Sequence, residues 1–472
     1  MAYLYQSLAN RLAGSIDSGL YAPGDRLPGV RVTSRNEGVS PATVVAAYER
    51  LEVDGYVESR PRSGFFVRPR RAALQQEPGL SRPASAPKAV TGAQLVAQIV
   101  RSVGAPEVVQ LGANIPHSGF LPTAALSREL KAVARDYVDR LGDYEAPPGL
   151  PRLRHGIARR MADIGCLARP DDILITHGAQ EAVYLALKCV TRPGDVVAVE
   201  SPTYYGILQV LDSLGLKALE IPTHARTGIS IDALTLALEK WPIRACVLVP
   251  NFSNPLGALL PDVHKRALLD LFANYPDVTV IEDDVYGDLA YHERRPSILK
   301  SYDQRDQVIY CASFSKSLSA GLRIGWIVSS RHAEQLAIHN FVHNCGSSLI
   351  NQLALAALLE KGSYERHLRS MRVALAQNLG RLSERIAQHF PEDVKVSRPE
   401  GGLSVWVELP QGTDTTALFH RAYAQGISIA PGQTFSTDPH KYRHCMRLNA
   451  GVAWNERLES ALQTLGQLIK TA

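Results

Sequence analysis

The sequence predicts two unequal parts, a small α+β unit followed by a large α/β unit. Three observations carry that expectation. A chain of 472 residues exceeds one ordinary domain. Residues 72–92, AALQQEPGLSRPASAPKAVTG, are rich in Pro, Ala, Ser and Gln and follow neither a helical nor a strand period, which reads as a semi-extended linker. Beyond them, about 380 residues alternate strand-like apolar runs with helical ones. The expected division is 1–69, a linker over 70–95, and 96–472, the last with a large subdomain over about 150–355 and a small one mainly over about 356–472.

Composition narrows the class. Hydrophobic residues make up 45% and charged residues 21%, enough for large buried cores. No apolar run reaches the ~20 residues of a spanning helix. The opening MAYLYQSLANRLAGSID is amphipathic and carries an acid, unlike a signal peptide. Six cysteines (Cys166, Cys189, Cys246, Cys311, Cys345 and Cys445) are scattered, with no CxxC pair and no histidine cluster at ligand spacing. Reduced thiols, no metal site, no membrane partner and a cytoplasmic location are therefore expected. The net charge of +5 says less than its distribution. Residues 1–71 hold ten Arg and no Lys against seven acids. Such an excess supports nucleic-acid binding only where a motif agrees.

The first part supplies one. Leu4, Leu8, Leu12 and Ile16 recur at one-turn spacing and predict a first helix, broken by Pro23, Gly24 and Pro28 in APGDRLPGVR. A short helix is expected over Arg31–Glu37, ended by Gly38. A third follows Ser40 as N-cap, with Pro41 at its first position, an apolar stripe of Val44, Ala47, Tyr48 and Leu51, and Gly55 as its stop. YVES and FFVRP read as two strands joined through RPRSG. Three helices and a two-stranded wing make a winged helix-turn-helix; a small helical dimerisation module is the alternative. Thr43, Ala46 and Arg50 leave the third helix a small, polar outer face suited to a major groove, with Ser40 near phosphate. Arg60 and Arg62 are expected at the wing tip, where they can reach the DNA backbone or the minor groove.

YAPGDRLPGVR and VSPATVVAAYERLEVDGYVESRPRSGFFV resemble the DNA-binding domain of the GntR family of bacterial regulators over nearly all of residues 4–68. The resemblance implies DNA contacts from Arg31, Ser40, Ala42 and Thr43. Pro41 stands where that family usually has arginine, and Arg62 where it usually has a wing glycine, so the operator sequence is not carried over.

In the second part strands feed helices in series: DILITHG into AQEAVYLALKCV, DVVAVE into SPTYYGILQVL, ACVLVP into NFSNPLG, VTVIEDD into VYGDLAY, and QVIYCASFS into KSLSAG. Open α/β sheets bind ligands at the C-terminal ends of such strands. The residues placed there match the needs of pyridoxal 5'-phosphate. Lys316 offers an amine for a Schiff base, and Asp283 a carboxylate for the pyridine nitrogen. Asn254 and Tyr286 offer donors to the ring's phenolic oxygen, and Tyr204 an aromatic face. Gly178, Ala179 and Gln180 open a helix whose free N–H groups favour phosphate, with Ser313, Ser315 and Arg323 beside them. Singly, a strand-end aspartate is a cap, an Asn-Pro pair a turn and a lone lysine a surface residue. Six of them in order, each at a strand-to-helix junction, argue for one site.

YEAPPGLPRLR, THGAQEA, SPTYYG, NPLG, EDDVY, SFSKSLSAGLRIGW, PGQTF and CMRLN resemble the fold-type I, aspartate aminotransferase-like enzymes over roughly residues 108–470. The resemblance implies that Lys316 is the internal aldimine lysine and Asp283 the pyridinium partner. It further implies that Tyr144 reaches the phosphate held by a second subunit of a homodimer, and that Arg447 clamps a substrate or effector α-carboxylate. The two halves together resemble the MocR-type regulators of the GntR family. That implies a regulator binding double-stranded operator DNA, which senses pyridoxal phosphate or an amino compound forming an aldimine with it. A working aminotransferase acting on an α-amino acid and a 2-oxo acid is the other reading, since no catalytic residue is missing.

Overall fold

The computed structural model describes residues 4–17, 20–21, 24–60, 63–67, 75–84, 86–90, 93–102, 105, 107–292 and 294–471. The chain forms two compact units, Met1–Leu74 with Ala376–His389, and Gln75–Leu375 with Phe390–Ala472. Among the described residues no helix is long and apolar enough to cross a membrane.

The first unit contains helices α1 (Leu4–Asp17), α2 (Val30–Glu37) and α3 (Pro41–Val53), then strands β1 (Val57–Arg60) and β2 (Gly64–Val67). Leu8 and Leu12 of the expected stripe are buried, whereas Leu4, in the first turn, is 71% exposed. Gly38 ends α2 in the left-handed region at φ 65°, where a side chain would be strained. Ser40 caps α3, its hydroxyl accepting from the Thr43 N–H at 3.1 Å. Val44, Ala47, Tyr48 and Leu51 form the buried face, and the Tyr48 hydroxyl donates to the Pro28 carbonyl at 2.6 Å. β1 and β2 pair antiparallel, with Val57 opposite Val67 and Arg60 opposite Gly64. Pro23 and Arg62 lie outside the described residues.

The second unit departs from expectation at its start. Rather than a free linker, residues from Gln75 onward lie against this unit. The Gln76 carbonyl accepts from Val396 N–H at 3.0 Å, and Ser81 donates to the Ser201 carbonyl at 2.9 Å. Strand β3 (Lys88–Ala89) then adds to the edge of the large sheet, and a helix over Ala93–Ser102 begins inside the expected linker. Prolines without regular period can still dock, because short edge pairings and side-chain bonds need no periodic pattern.

The next strands are β4 (Val109–Gln110), β5 (Ile173–Thr176), β6 (Val196–Ser201), β7 (Lys217–His224), β8 (Gly228–Ile229), β9 (Ile243–Leu248), β10 (Thr279–Asp283), β11 (Val308–Ser313) and β12 (Gly325–Val328). The sheet order is β3-β7-β6-β9-β10-β11-β12-β5, with β8 pairing β7. Strands β7, β6, β9, β10 and β11 run parallel, and β12 is antiparallel to both its neighbours. Alternate residues pack into different cores. Val197 and Val199 join the helices Ala179–Val190 and Tyr205–Ser213, while Val196 and Ala198 join Ile231–Lys240 and Asp262–Phe272. Both faces are covered, which is why these strands read as continuous apolar runs.

The smaller sheet contains β13 (Lys395–Val396), β14 (Ser404–Glu408), β16 (Ala430–Pro431) and β17 (Cys445–Asn449), in the order β13-β14-β17-β16. Between them in sequence, β15 (Ile427–Ser428) pairs in parallel with β4.

Two of the five expected strand-to-helix junctions hold at once, after β5 and β6. After β9 a loop intervenes, and β10 and β11 lead into turns and the short 3₁₀ segments Gly287–Leu289 and Ala320–Leu322. The loop after β10 is held by charge instead of helix. Arg295 donates to both Asp284 and Asp288, Arg160 also donates to Asp288, and the Tyr310 hydroxyl donates to Asp284 at 2.8 Å. Burial by itself would raise the Asp288 carboxyl, but the two guanidiniums outweigh it and hold it well below the usual carboxylate range. Replacing Arg295 by Met leaves two buried acids without their shared cation. That change should cost about 3–5 kcal/mol of stability in urea denaturation, against about 1 kcal/mol or less for a surface arginine.

Candidate functional site

The C-terminal ends of β5, β6, β10 and β11 bring the site together. Asp283 is the last residue of β10, 6% exposed, and its Oδ1 has no hydrogen-bond partner. Burial pushes this carboxyl up to about 7, with the neighbouring Asp284 adding to the rise and the Lys316 ammonium opposing it. Lys316 follows β11, and its Nζ donates to the Asn114 carbonyl at 2.8 Å. Burial pulls its ammonium down to about 8, helped by Arg447 and Arg323 and resisted by Asp283. A lysine with such a value is a nucleophile within reach of neutral pH.

Around this pair the polar groups are tightly interlocked. Arg447 lies on β17, fully buried, and donates from Nη1 to Asn254 Oδ1 at 3.1 Å and from Nη2 to the Gly112 carbonyl. Asn254 Nδ2 donates to the Tyr286 hydroxyl at 3.4 Å, and Asn114 Nδ2 to the same oxygen at 2.8 Å. Burial pushes the Tyr286 hydroxyl up to about 12. Tyr204 stands at the N-terminus of its helix with its ring centroid 4.8 Å from that of Tyr205.

The residues expected to cradle an anion lie where β5 meets its helix. Gly178, at φ 88°, precedes Ala179 and Gln180 of helix Ala179–Val190. A Cβ on Gly178 would lie 2.8 Å from Arg323 Nη2, so only glycine admits the guanidinium this close. Arg323 itself sits at φ 53° and donates to the His177 carbonyl at 2.7 Å. Gln180 donates to the Gly206 carbonyl at 2.7 Å, and Ser313 Oγ accepts from the Ser315 N–H at 3.3 Å.

Other expected residues lie elsewhere. Tyr144 is 85% exposed and does not join this cluster within one chain. In the first unit, Arg31, Ser40 and Ala42 are exposed and Thr43 half-buried. Arg60 is the last residue of β1. It pairs with Glu58 at 2.7 Å and lies over the Phe66 ring at 4.4 Å. Sequence reasoning missed Asn114 and Gly112, which lie after the two-residue strand β4, where no periodicity or motif marks them.

Two family descriptions match separate parts of the chain. "Bacterial regulatory proteins, gntR family" matches residues 4–67, and "Aminotransferase class I and II" matches residues 106–465. The Escherichia coli K12 protein named as an HTH-type transcriptional regulator, YjiR, is 39% identical over 468 residues, covering 99% of each chain. A second from that organism, YdcR, is 39% identical over 466 residues, again covering 99% of each. The chain belongs to the MocR-type regulators of the gntR family. The aminotransferase-like part of this MocR-type chain also resembles solved enzymes. Pyrococcus horikoshii kynurenine aminotransferase, solved with PMP, matches at 27% identity and a TM-score of 0.75, over 81% of this chain and 95% of that one. The α-aminoadipate aminotransferase LysN of Thermus thermophilus, complexed with N-(5'-phosphopyridoxyl)-L-leucine, matches at 26% identity and a TM-score of 0.74, over 81% and 96%.

The site's electrostatics give a direct expectation for the cofactor-free MocR-type protein. The Asp283 carboxyl should titrate near pH 7 in carbon-13 NMR of aspartate-labelled protein. Lys316→Met removes the positive charge that opposes the rise and should move the titration to higher pH. An Asp283 titration at ordinary carboxylate pH would show that the carboxyl is solvated.

Proposed function

We propose that this protein is a pyridoxal phosphate-dependent, DNA-binding transcriptional regulator whose aminotransferase-like part senses the cofactor or an amino compound that condenses with it. The observation that carries this reading is the end-to-end likeness, over 99% of both chains, to proteins named as HTH-type regulators. The reading assigns residues 1–69 to DNA binding, 70–95 to the connection and 96–472 to sensing, in a cytoplasmic homodimer. A ligand can switch such a protein only by favouring one arrangement of it over another.

The donor set fits pyridoxal phosphate. The unpartnered, buried Oδ1 of Asp283 is an acceptor waiting for an N–H, and a protonated pyridine nitrogen supplies one. When bound, pyridoxal phosphate supplies an aldehyde that condenses with amines and a ring that withdraws electrons from them. Lys316 is the amine for that aldehyde, and Asp283 the carboxylate that keeps the ring nitrogen protonated. Tyr286 and Asn254 are assigned to the phenolic oxygen, and Tyr204 to the ring face. Gly178, Ala179, Gln180, Ser313, Ser315 and Arg323 would hold the phosphate, with Tyr144 serving the second subunit of the homodimer. Arg447 is a planar donor for the carboxylate of an amino-acid effector, its buried Nε still without a partner. Arg31, Ser40, Ala42 and Thr43 form the DNA-facing set, with Arg60 held against Glu58 and Phe66.

Footprinting of the DNA upstream of candidate genes, with and without pyridoxal phosphate, tests this directly. Wild-type protein should be yellow, should be labelled at Lys316 after borohydride reduction, and should protect a discrete operator in a cofactor-dependent way. Lys316→Ala should lose colour, label and cofactor dependence while staying folded by circular dichroism. Label on another lysine would refute the site, and steady amino transfer to a 2-oxo acid without specific protection would point to an enzyme.

Once an operator is known, Arg31→Ala should lose about 1–3 kcal/mol of discrimination at one base pair. Removing any side chain that neutralises a phosphate should lower the salt slope by about 0.9. Affinities for operator and random duplex across a salt series measure both. Unchanged affinity and slope would remove Arg31 from the interface.

A further inference from the structure

Asn114 occupies a place in the site that neither its sequence neighbourhood nor the assigned set explains. It is 5% exposed, and it touches Lys316 and Tyr286 at once. Its backbone carbonyl accepts from Lys316 Nζ at 2.8 Å, and its side-chain Nδ2 donates to Tyr286 at 2.8 Å and to Ser404 Oγ at 3.0 Å. Its segment is held rigidly. Arg447 donates to the Gly112 carbonyl, Asn449 N–H to the Leu111 carbonyl at 2.9 Å, and Asn449 Nδ2 to the Ile115 carbonyl at 2.8 Å. A Cβ on Gly112 would lie 2.6 Å from the Ile429 carbonyl oxygen, so the segment passes where only glycine fits.

The hydrogen-bond arithmetic at Tyr286 then has a consequence. A tyrosine hydroxyl has one proton to give and two lone pairs to fill. The Asn254 amide is oriented by Arg447, which can only donate, so Asn254 Oδ1 faces the guanidinium and Nδ2 faces Tyr286. The Asn114 amide fills the second lone pair. Both acceptor positions are thereby occupied by N–H groups, and the single hydroxyl proton is left to point toward a third partner. N–H donors on a hydroxyl oxygen also strengthen it as a donor.

We propose that Asn114 is a positioning residue that makes Tyr286 a committed hydrogen-bond donor toward the bound ligand's oxygen. The proposal rests on the pyridoxal phosphate reading of the site. It agrees with the direction of the Asn114 effect on Tyr286, which opposes the rise that burial imposes. Arg447 on β17, Asp283 on β10, and Tyr205 also act on that hydroxyl, so removal of Asn114 must be isolated from them.

A double-mutant cycle on the full-length, cofactor-loaded protein does so, read as the midpoint of the pH titration of visible absorbance. A donor on the phenolic oxygen stabilises the form whose neighbouring nitrogen has lost its proton, so weakening that donor raises the midpoint. Tyr286→Phe should raise it, and Asn114→Leu should raise it by about half to one pH unit. In the Tyr286→Phe background the Asn114→Leu shift should fall to less than half its value. Asn114→Ala is the second substitution if leucine impairs folding. No rise from Asn114→Leu or Asn114→Ala, no rise from Tyr286→Phe, or a shift in the Phe background at least half as large as in wild type would each overturn the proposal. Loss of the pyridoxal phosphate reading is seen separately, as a wild-type protein with no pH-dependent band or a Lys316→Ala protein that keeps it.

Discussion

Burying Asp283 at the end of β10 with one oxygen unpartnered is the constraint on which the rest of the site depends. A carboxylate removed from water is unfavourable unless something compensates, and here the nearby Lys316 ammonium does so. The sheet makes the arrangement unavoidable. Parallel pairing of β10 with β11 sets Asp283 opposite Cys311, so the chain that leaves β11 delivers Lys316 to the same edge. Asp283 rises and Lys316 falls until both titrate near neutrality, the condition under which a carboxyl can hold a proton and an amine can attack.

The support beneath this pair is ionic rather than helical. Asp284 and Asp288 flank the turn after β10 and share Arg295, while Tyr364 donates to Asp288 at 2.8 Å and pairs with Ser317, the residue after Lys316, at 2.5 Å. One network therefore ties the loop carrying Tyr286 to the loop carrying Lys316. Pairing of this kind gives position more than stability, because the desolvation of so many charges offsets much of their attraction.

The small sheet contributes from the other side. Arg447, at the centre of β17, is paired across to Trp406 on β14 and to Ala430 on β16, and it closes over Gly112 and Asn254. A guanidinium buried with its Nε unpartnered suits an anionic guest, which is consistent with the amino-acid effector proposed above.

Much of this was legible in the sequence. Helical spacing, the Ser40 cap and Pro41 located α3, since capping and side-chain periodicity are local properties of the chain. Continuous apolar runs located β5, β6, β9, β10 and β11, and the residues just beyond them marked Lys316, Asp283, Tyr286 and Gly178. Long-range geometry was not legible. The stretch before residue 92 lacks a periodic pattern, yet it docks and adds strand β3, because edge pairing depends on a partner surface more than on its own composition. Leu4 fits the stripe of α1 but lies at an open end of the helix. Arg60 was expected at the wing tip, but only the hairpin register puts it beside Glu58 and over Phe66. Asn114 carries no sequence signal at all. Its contacts, 172 residues away at Tyr286 and 202 at Lys316, exist only because the tertiary fold brings three distant strand ends to one point.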